Sequence, residues 1–302
     1  MPLRSRQPRT SAVDVRSPAR LHIGMLSFGN PAMRSFGGVG IMVDRPGVHL
    51  RMRRSNRVEA RGPLAERALE FADACARAWK LGDAACAIEV LAAPASHVGL
   101  GSGTQLALSV AAGMSHLFGR SADDDDLPPA PQHPVQDDPV PSDHEWSFDG
   151  REAQEFARIT GRGRRSCVGV HGFSRGGLIV EAGRRLPPDG LAADDGKREF
   201  SPMVARVRLP SSWRCVVIVG RDAVGLHGPP EAAAFADLPP MDSAVSAELS
   251  RIALLEMLPA AVEAKFAEFA AAVGAYGRLA GQPFAAACGS RPAAAATADL
   301  LE

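Results

Sequence analysis

Apolar residues at every second position predict β-strands along the chain. Leu21, Ile23 and Met25 share one face of the first of these strands, with polar residues or glycine between them, as in a half-buried strand. The Asp44–Gly47 segment separates two later strands and is predicted to be a hairpin turn. Residues 1–18 are predicted to be disordered. Strands are predicted at 19–25, within 35–46, and at 48–52, 86–90, 168–170, 178–180, 204–207 and 215–219.

Apolar residues at a spacing of three or four positions predict helices between these strands. The helix at 64–79 opens after Gly62–Pro63 and closes at Gly82, the usual places of proline and glycine at helix ends. Pro259 is predicted to separate two C-terminal helices. Helices are predicted at 64–79, 106–118, 156–159, 245–255, 262–273 and 293–302. Strands and helices in this order favour an α+β fold.

A glycine-rich loop joins the strand at 86–90 to the helix at 106–118. It runs from Pro94 to Gln105 and has glycine at 99, 101 and 103, where the backbone can bend tightly or approach a ligand closely. Ser102 and Thr104 are predicted to cap the helix. The amides at the helix start and the helix dipole would then face an anion, so we predict a phosphate-binding loop. A glycine turn that caps a core helix is the alternative.

Composition narrows the class of protein. The chain has 302 residues, of which 46% are apolar, and this is enough for two modest domains or one large one. A net charge of zero gives no electrostatic reason to expect nucleic acid or a membrane as a partner. The first 20 residues lack the apolar segment of a secretory signal. The five cysteines form no C-x-x-C pair, so we predict buried thiols and a cytoplasmic protein.

Arginine supplies nearly all of the positive charge, since only three of the 34 basic residues are lysine. None of the lysines lies near a glycine motif, so an anion clamp must be built from arginine, which suits bidentate phosphate contacts. Arg162, Arg164 and Arg165 stand among glycines just before the strand predicted at 168–170. We predict that they form a second anion clamp, with a solvated basic turn as the alternative.

Residues 121–150 interrupt the pattern of strands and helices. Asp123–Asp126 are four consecutive acids, and six prolines follow between 128 and 141. Such a segment buries too little apolar surface to offset its conformational entropy, so we predict a disordered insertion. A metal site built from the Asp run, His133 and His144 is the alternative to this solvated acidic loop, and we predict no metal ligands.

The glycine-rich loop differs from the two common phosphate loops, because no lysine follows its last glycine and its spacing is not G-x-G-x-x-G. It resembles the Pro-x-x-x-Gly-Leu-Gly-Ser-Ser signature of the GHMP kinase superfamily, with Gly103-Thr104-Gln105 where a kinase usually has Ser-Ala or Ser-Gly. With other segments, it resembles the beta-ribofuranosylaminobenzene 5'-phosphate synthases, a GHMP branch of methanopterin biosynthesis. The resemblance rests on 19–24, 37–40, 44–46, 99–105, 160–166, 169–173, 175–177, Trp213 and 238–241.

This resemblance implies an α+β fold with two domains. The first, at 19–185, is of the ribosomal-S5-domain-2-like type and carries the insertion at 121–150, and the second, at 200–302, is ferredoxin-like. Family members continue into a glycine-rich segment of the type Gly-x-Gly-Gln-Ser-Ser-Trp-Gly-Pro, which nothing in the chain matches. We therefore expect an incomplete C-terminal domain. A catalytically impaired, ligand-binding paralogue and an ATP-dependent small-molecule kinase of the same superfamily are the alternatives.

The resemblance also implies a reaction. The family joins phosphoribosyl pyrophosphate to the ring of 4-hydroxybenzoate or 4-aminobenzoate, with loss of carbon dioxide and pyrophosphate, in tetrahydromethanopterin biosynthesis. Mg²⁺ is implied as the cofactor, because pyrophosphate must be stabilised as it leaves. A homodimer is a further expectation, since many relatives dimerise.

Candidate site residues follow from this reaction. His22, Asp44 and His171 are the catalytic candidates, because a neutral histidine or a carboxylate can accept the proton of the ring heteroatom. Arg20 or Arg175 is expected to hold the benzoate carboxylate. The expected phosphate- and substrate-binding residues are Arg20, Gly99, Leu100, Gly101, Ser102, Gly103, Thr104, Gln105, Arg162, Arg164, Arg165 and Arg175.

Overall fold

Two compact units make up the part of the chain that the computed structural model describes, which is residues 11–30, 33–82, 84–119, 150–185, 199–220, 233 and 237–287. Unit 1 takes its described residues from 1–20, 42–95 and 101–176, and unit 2 from 21–41, 96–100 and 177–302. The elements are β1 (Ala12–Met25), β2 (Gly38–Arg54), β3 (Glu59–Arg61), α1 (Ala65–Ala78), β4 (Cys86–Ala92), α2 (Ser102–Phe118), α3 (Gly150–Ile159), α4 (Val168–His171), β5 (Leu178–Glu181), β6 (Met203–Val207), α5 (Ser243–Arg251), a π-helical segment (Ile252–Met257), α6 (Leu258–Val262) and α7 (Phe266–Ala287).

Unit 1 is built on the antiparallel pair of β2 and β4. Leu50 lies opposite Val90 and Met52 opposite Ile88, and all four side chains are buried. Strand β3 adds to the other edge of β4 in parallel register. Apolar residues at every second position of β2 and β4 therefore form one buried face of this sheet, as the sequence pattern predicted.

Helix α2 forms the centre of the unit 1 core and packs against α1 and α3. It is buried on nearly all sides, as expected for a helix that is apolar all round. Helix α3 is joined to the end of α1 through Trp79, whose ring meets Phe156 edge-on with centroids 6.0 Å apart. The Trp79 indole Nε1 also donates a hydrogen bond to Glu155 Oε1 at 2.9 Å. These contacts fix the position of α3 and of the loop that follows it.

Unit 2 contains β5 between the first residues of β2 and strand β6, with antiparallel pairing on both sides. Helix α7 packs closely on the end of β1, because a Cβ at Gly24 would lie only 2.3 Å from the Ala280 Cβ. Tyr276 is fully buried there, and its hydroxyl donates a hydrogen bond to the Gly24 carbonyl at 3.2 Å. Burial, with the nearby Glu181 carboxylate, raises the pKa of this phenol well above its usual value.

The π-helical segment lies between α5 and α6, immediately before Pro259. Proline has no amide hydrogen, so the Leu255 carbonyl has no α-helical donor at position 259. A wider helical turn at this point is consistent with that missing hydrogen bond. None of the helices within the described ranges is long and apolar enough to cross a membrane.

Several predicted strands differ from the observed ones. Strand β1 begins at Ala12 instead of Ala19, so the predicted disorder is wrong for 12–18, while residues before 11 lie outside the described part of the chain. The predicted hairpin turn at Asp44–Gly47 is also wrong, because β2 continues through it. A Cβ at Gly47 would lie 2.5 Å from the Ser17 carbonyl oxygen. Glycine at this position therefore allows β1 and β2 to approach each other closely.

Tertiary contacts explain the other differences. Residues 168–170 form helix α4 instead of a strand, and Val168 and Val170 are both buried. The segment 215–219 has no regular structure, with Val216 and Ile218 exposed. The C-terminal helices separate at 263–265 instead of at Pro259. The insertion was predicted at 121–150. Of this segment, residues 121–149 lie outside the described part of the chain, as does the predicted helix at 293–302, and Gly150 is the first residue of α3.

Candidate anion-binding site

The start of helix α2 is open to an anion. Gly101 is its N-cap residue and has left-handed backbone angles (φ 68°, ψ 20°), which suit glycine. The predicted capping by Ser102 and Thr104 is wrong, because no side chain caps this helix and the Ser102 hydroxyl donates to the Ala95 carbonyl at 3.4 Å. No acidic residue lies in the first turn. The positive end of the helix dipole therefore has no protein anion on its own first turn.

Two arginines from different elements reach this first turn at Gly103. A Cβ at Gly103 would lie 3.3 Å from Nη2 and 3.4 Å from Nη1 of Arg67, and 3.6 Å from Nη1 of Arg162. Arg67 belongs to α1, whereas Arg162 follows α3. The absence of a side chain at 103 thus lets two guanidiniums approach the helix start. The sequence indicated Arg162 but not Arg67, which is one of two arginines in α1 and has no motif around it.

The C-terminus of α3 sets the position of Arg162. The amide of Gly161 donates to the Arg158 carbonyl at 3.2 Å, and the amide of Arg162 donates to the Ala157 carbonyl at 2.6 Å. With φ of 68° at Gly161, this is a Schellman motif, in which glycine supplies the left-handed residue that ends the helix. The guanidinium of Arg162 then lies over the Phe71 ring, 4.8 Å from its centroid.

Electrostatics at Arg162 favour an anionic ligand. Burial, followed by repulsion from Arg67 and Arg164, lowers the pKa of Arg162 to about 10, while Glu70 acts in the opposite direction. The Arg162 Nε is buried and has no hydrogen-bond acceptor among the described residues. A buried guanidinium beside two others is costly unless a negative charge joins them. An anion at the start of α2 would supply that charge.

Arg20 and Gln105 complete the surroundings of the helix start. A Cβ at Gly101 would lie 3.3 Å from the Cβ and 3.4 Å from the Nε of Arg20. The Gln105 Nε2 donates a 2.8 Å hydrogen bond to the carbonyl of Gly169, which joins α2 to α4. A Cβ at Gly169 would come within 3.6 Å of the Arg20 Cδ and the Thr104 Cγ2, so this glycine permits the close approach. Unit 1 therefore brings together Arg20, Arg67, Arg162 and the 101–105 backbone.

Other candidates in unit 1 occupy varied positions. Arg164 is exposed, with its Nη2 3.6 Å from the position of a Cβ at Gly161. Arg165 is half-buried and Arg175 is exposed. His171 is the last residue of α4, and Asp44 is exposed on β2. Their catalytic and binding roles stay predictions.

Three candidates belong to unit 2. Gly99 has φ of 82°, and a Cβ there would meet nothing within 4 Å among the described atoms. Leu100 is buried, with 3% of its surface exposed. The His22 ring packs on β2, since a Cβ at Gly38 would lie 3.2 Å from its Cε1 and Nε2. Gly99 thus has open space beside it among the described atoms, and the His22 ring of β1 is held against the neighbouring strand β2.

The donor groups around the helix start do not fit a protein-bound Mg²⁺. Magnesium is usually held by one or two carboxylates together with substrate phosphates. The charged side chains described here are the guanidiniums of Arg20, Arg67 and Arg162, which suit an anion better than a cation. The predicted Mg²⁺ therefore gains no ligand from this cluster and stays a prediction.

The overall fold is similar to that of GHMP-type enzymes of known structure, as the glycine-loop signature predicted. Streptococcus pneumoniae phosphomevalonate kinase superposes with a TM-score of 0.53 at 10% identity, over 91% of this chain and 80% of that one. Streptococcus pyogenes mevalonate pyrophosphate decarboxylase gives 0.52 at 10% identity, over 90% and 74%. At such identities the likeness concerns the fold alone. No protein-family model matches the sequence.

Sequence similarity identifies a narrower group of relatives. The chain is 28% identical to the beta-ribofuranosylphenol 5'-phosphate synthase of Archaeoglobus fulgidus over 261 residues, which are 86% of this chain and 73% of that protein. It is 27% identical to the synthase of the same name from Methanothermobacter thermautotrophicus, with the same two coverages. The chain is thus a relative of the beta-ribofuranosylphenol 5'-phosphate synthases, and the resemblance recognised from its motifs is confirmed.

Proposed function

We propose that this chain is a beta-ribofuranosylphenol 5'-phosphate synthase, or the equivalent aminobenzene synthase. It would condense phosphoribosyl pyrophosphate with 4-hydroxybenzoate or 4-aminobenzoate, as a pentosyltransferase with decarboxylation. Support comes from the relatives' name and from an anion site that suits a pyrophosphate donor. Tetrahydromethanopterin biosynthesis, a cytoplasmic location and a homodimer belong to the same proposal, and each derives from the sequence expectations.

The single observation that carries the proposal is the arginine cluster at an uncapped helix start. Arg67 and Arg162 both approach Gly103, and Arg20 lies against Gly101. A pyrophosphate group has enough oxygens to accept from several guanidiniums and from the first amides of α2 together. A ligand with less negative charge would offset less of the repulsion that Arg162 experiences from Arg67 and Arg164.

The reaction needs charge stabilisation where the leaving group departs. The bond between ribose C1 and the pyrophosphate oxygen breaks, and pyrophosphate keeps the electron pair. The ring carbon that carries the carboxylate forms a new bond to C1, and the bond to carbon dioxide then breaks and returns its electron pair to the ring. Guanidiniums fixed in a partly buried site stabilise the growing negative charge on pyrophosphate without reorganising, which is the largest contribution such a site can make.

Proton transfer and acceptor binding remain to be assigned by experiment. A group that accepts the proton of the 4-hydroxyl strengthens electron donation into the ring, and His22, Asp44 and His171 are the proposed candidates. Arg175, which is exposed, is the proposed partner for the benzoate carboxylate besides Arg20. Mg²⁺, if it enters with the donor, would neutralise part of the pyrophosphate charge.

A product assay tests this function. Purified chain is incubated with phosphoribosyl pyrophosphate, Mg²⁺ and 4-hydroxybenzoate labelled in the carboxylate, and pyrophosphate and carbon dioxide are measured together with ADP formed from ATP in a parallel reaction. We expect equal amounts of pyrophosphate and carbon dioxide and no ADP. ADP formation with a small-molecule acceptor would instead show a kinase. Binding of phosphoribosyl pyrophosphate by calorimetry without any product would show the impaired paralogue.

A further inference from the structure

A second concave site lies entirely within unit 2. It is a cavity of about 320 Å³ between strands β5 and β6 on one side and helix α5 with the π-helical segment on the other. Small-molecule sites usually begin at about this size. Its lining includes Leu26, Arg34, Val180, Ala182, Ser246 and Ala253.

Apolar walls and an exposed mouth define the shape of this cavity. Val180 is 2% exposed and Ala253 is 1% exposed, so the walls belong to the hydrophobic core. Val204 and Leu254 also line the cavity but are 49% and 47% exposed, so they lie at its opening. A ligand with a compact apolar body can therefore enter from solvent and bury that body against the walls.

A buried hydroxyl lines this cavity without a hydrogen-bond partner. Ser246 is 2% exposed, and its Oγ has no partner among the described residues. The neighbouring Ser250 hydroxyl donates to the Ser246 carbonyl at 2.8 Å and makes no hydrogen bond with the Ser246 hydroxyl. Leaving a buried hydroxyl unpaired costs about 1–3 kcal/mol. A polar atom on a bound ligand would remove that cost.

Arg34 gives the opening of the cavity a positive charge. Its guanidinium is exposed, and Nη1 donates to the Gly183 carbonyl at 3.0 Å. No ion pair joins it to a carboxylate in the part of the chain that the structure describes. The remaining N–H donors of this planar group match the two oxygens of a ligand carboxylate.

The π-helical segment shapes one wall of the cavity. Ala253 and Leu254 lie in its first turn, and both contact the cavity. Turns of this kind are uncommon and often occur at functional sites, because they widen the helix and redirect side chains. Here the widened turn presents the small Ala253 side chain to the cavity, which keeps the space open.

We propose that this unit 2 cavity binds a small apolar monocarboxylate, with its carboxylate at Arg34, its body against the apolar walls and a polar substituent at Ser246. The site is separate from the anion site of unit 1. Its ligand is an acid with the chemistry of the acceptor substrate, and if it is the acceptor itself, Arg34 replaces Arg20 and Arg175 as the partner of the benzoate carboxylate. Direct binding does not need turnover, so the test is independent of the proposed function.

Calorimetric titration with 4-hydroxybenzoate and with its neutral amide, 4-hydroxybenzamide, tests the site. We expect Arg34→Gln to weaken 4-hydroxybenzoate binding at one site at least tenfold and to leave the amide unaffected. Ser246→Ala is expected to weaken 4-hydroxybenzoate severalfold without changing the affinity for benzoate, which lacks the 4-hydroxyl. The matched controls are Arg208→Gln and Ser243→Ala, two exposed positions of unit 2 away from the lining. Unchanged affinity and stoichiometry in both test variants overturn the proposal, as does a wild-type chain that binds neither probe.

Two further measurements make the result decisive. Leu254→Glu places a negative charge at the exposed opening, where folding is little affected, and is expected to reduce carboxylate binding as Arg34→Gln does. If Leu254→Glu leaves carboxylate binding unchanged, the proposed site is rejected. This holds even where Ser246→Ala, the buried variant, fails to fold. In the synthase assay, a raised KM for 4-hydroxybenzoate in Arg34→Gln identifies the ligand as the acceptor. An unchanged KM with one calorimetric site lost identifies a separate ligand site.

Discussion

The guanidinium of Arg162 lies 4.8 Å from the centroid of the Phe71 ring, and this contact joins the end of α3 to the middle of α1. An aromatic face offers a buried cation only part of the stabilisation that a carboxylate would give. The charge of Arg162 is therefore held in place without being neutralised. This arrangement leads to the first prediction.

Arg162→Met should stabilise the free chain and weaken ligand binding. Folding disfavours the charged form of Arg162, as its pKa of about 10 shows, and this cost is present at every pH below that value. Methionine keeps a flexible apolar contact with Phe71 but removes the charge. We expect a melting temperature raised by roughly 2 °C or more, together with an increase of about tenfold or more in the Kd of inorganic pyrophosphate.

Arg57→Gln is the control for that comparison, because Arg57 is exposed and, among the described residues, pairs with Glu59 alone. It should change neither quantity appreciably. A lower melting temperature combined with unchanged pyrophosphate affinity in Arg162→Met would show that Arg162 is a structural residue, and the arginine cluster would lose its assigned role.

Gly103→Ala should affect ligand binding more than stability. Alanine is favoured over glycine in a helix by about 1 kcal/mol. Its Cβ would push the Arg67 guanidinium, 3.3 Å away, outward and would lie in contact with that of Arg162, 3.6 Å away, so the methyl group would take space beside the helix start. We expect a stability equal to or above wild type, and a KM for phosphoribosyl pyrophosphate raised severalfold. Thermal denaturation and initial-rate kinetics measure the two effects.

Gly281→Ala is the matched control for Gly103→Ala. Gly281 lies in α7 and is exposed, and a Cβ there would meet no described atom within 4 Å. This variant should gain about 0.5–1 kcal/mol of stability and keep the wild-type KM. Should both variants keep that KM, close approach of arginine to residue 103 would have no part in binding.

Gly113→Ala should destabilise the chain despite the better helix propensity of alanine. Gly113 lies in the buried part of α2, and a Cβ there would lie 2.3 Å from the Met52 Sδ. Met52 is fully buried, so it can move only by disturbing the unit 1 core. We expect a loss of about 1–3 kcal/mol in urea denaturation. In a Met52→Ala background, Gly113→Ala should cost less than it does in the wild type, because the Met52 Sδ is gone. An equal cost in both backgrounds would contradict the proposed steric cause.

Thiol labelling should distinguish the described cysteines. Burial, with the Glu155 carboxylate and Cys86, raises the pKa of Cys75 to about 12, and burial raises the pKa of Cys86 to about 11. Both should remain protonated and protected below pH 9. Cys215 is exposed, although partial burial also raises its pKa, so it should react before Cys75, Cys86 and Cys167, which are buried. Peptide mapping by mass spectrometry after a short alkylation checks this order, and early modification of Cys75 would contradict the buried position.

The sequence predicted the parts of the fold that depend on local pattern. Alternating apolar residues around Ile88 identified β4, and apolar residues at helical spacing from Leu106 to Leu117 identified α2. Both predictions are correct because these apolar residues are the ones that each element buries. Residues 168–170 carried the alternation of a strand and yet form α4, where Gly169 meets Gln105 across the unit. Such contacts between distant residues override local propensity and are invisible in periodicity.

The candidate site was predictable to a similar extent. Glycines at 101 and 103 and the arginine at 162 were recognisable because each belongs to a short motif with a physical reason for its residues. Arg67 was not recognisable, since its role depends on the packing of α1 against α2 beside Gly103. The unit 2 cavity was equally hidden, because its lining comes from five separate stretches of chain.

The uncompensated positive charge at the start of α2 also bears on how long the protein survives in a cell. If, as proposed, a sugar phosphate binds there and offsets the repulsion between the arginines, the bound form is the more stable one, and the protein should resist proteolysis better in cells that supply this ligand. Its abundance would then follow the supply of its own donor, without any dedicated regulator.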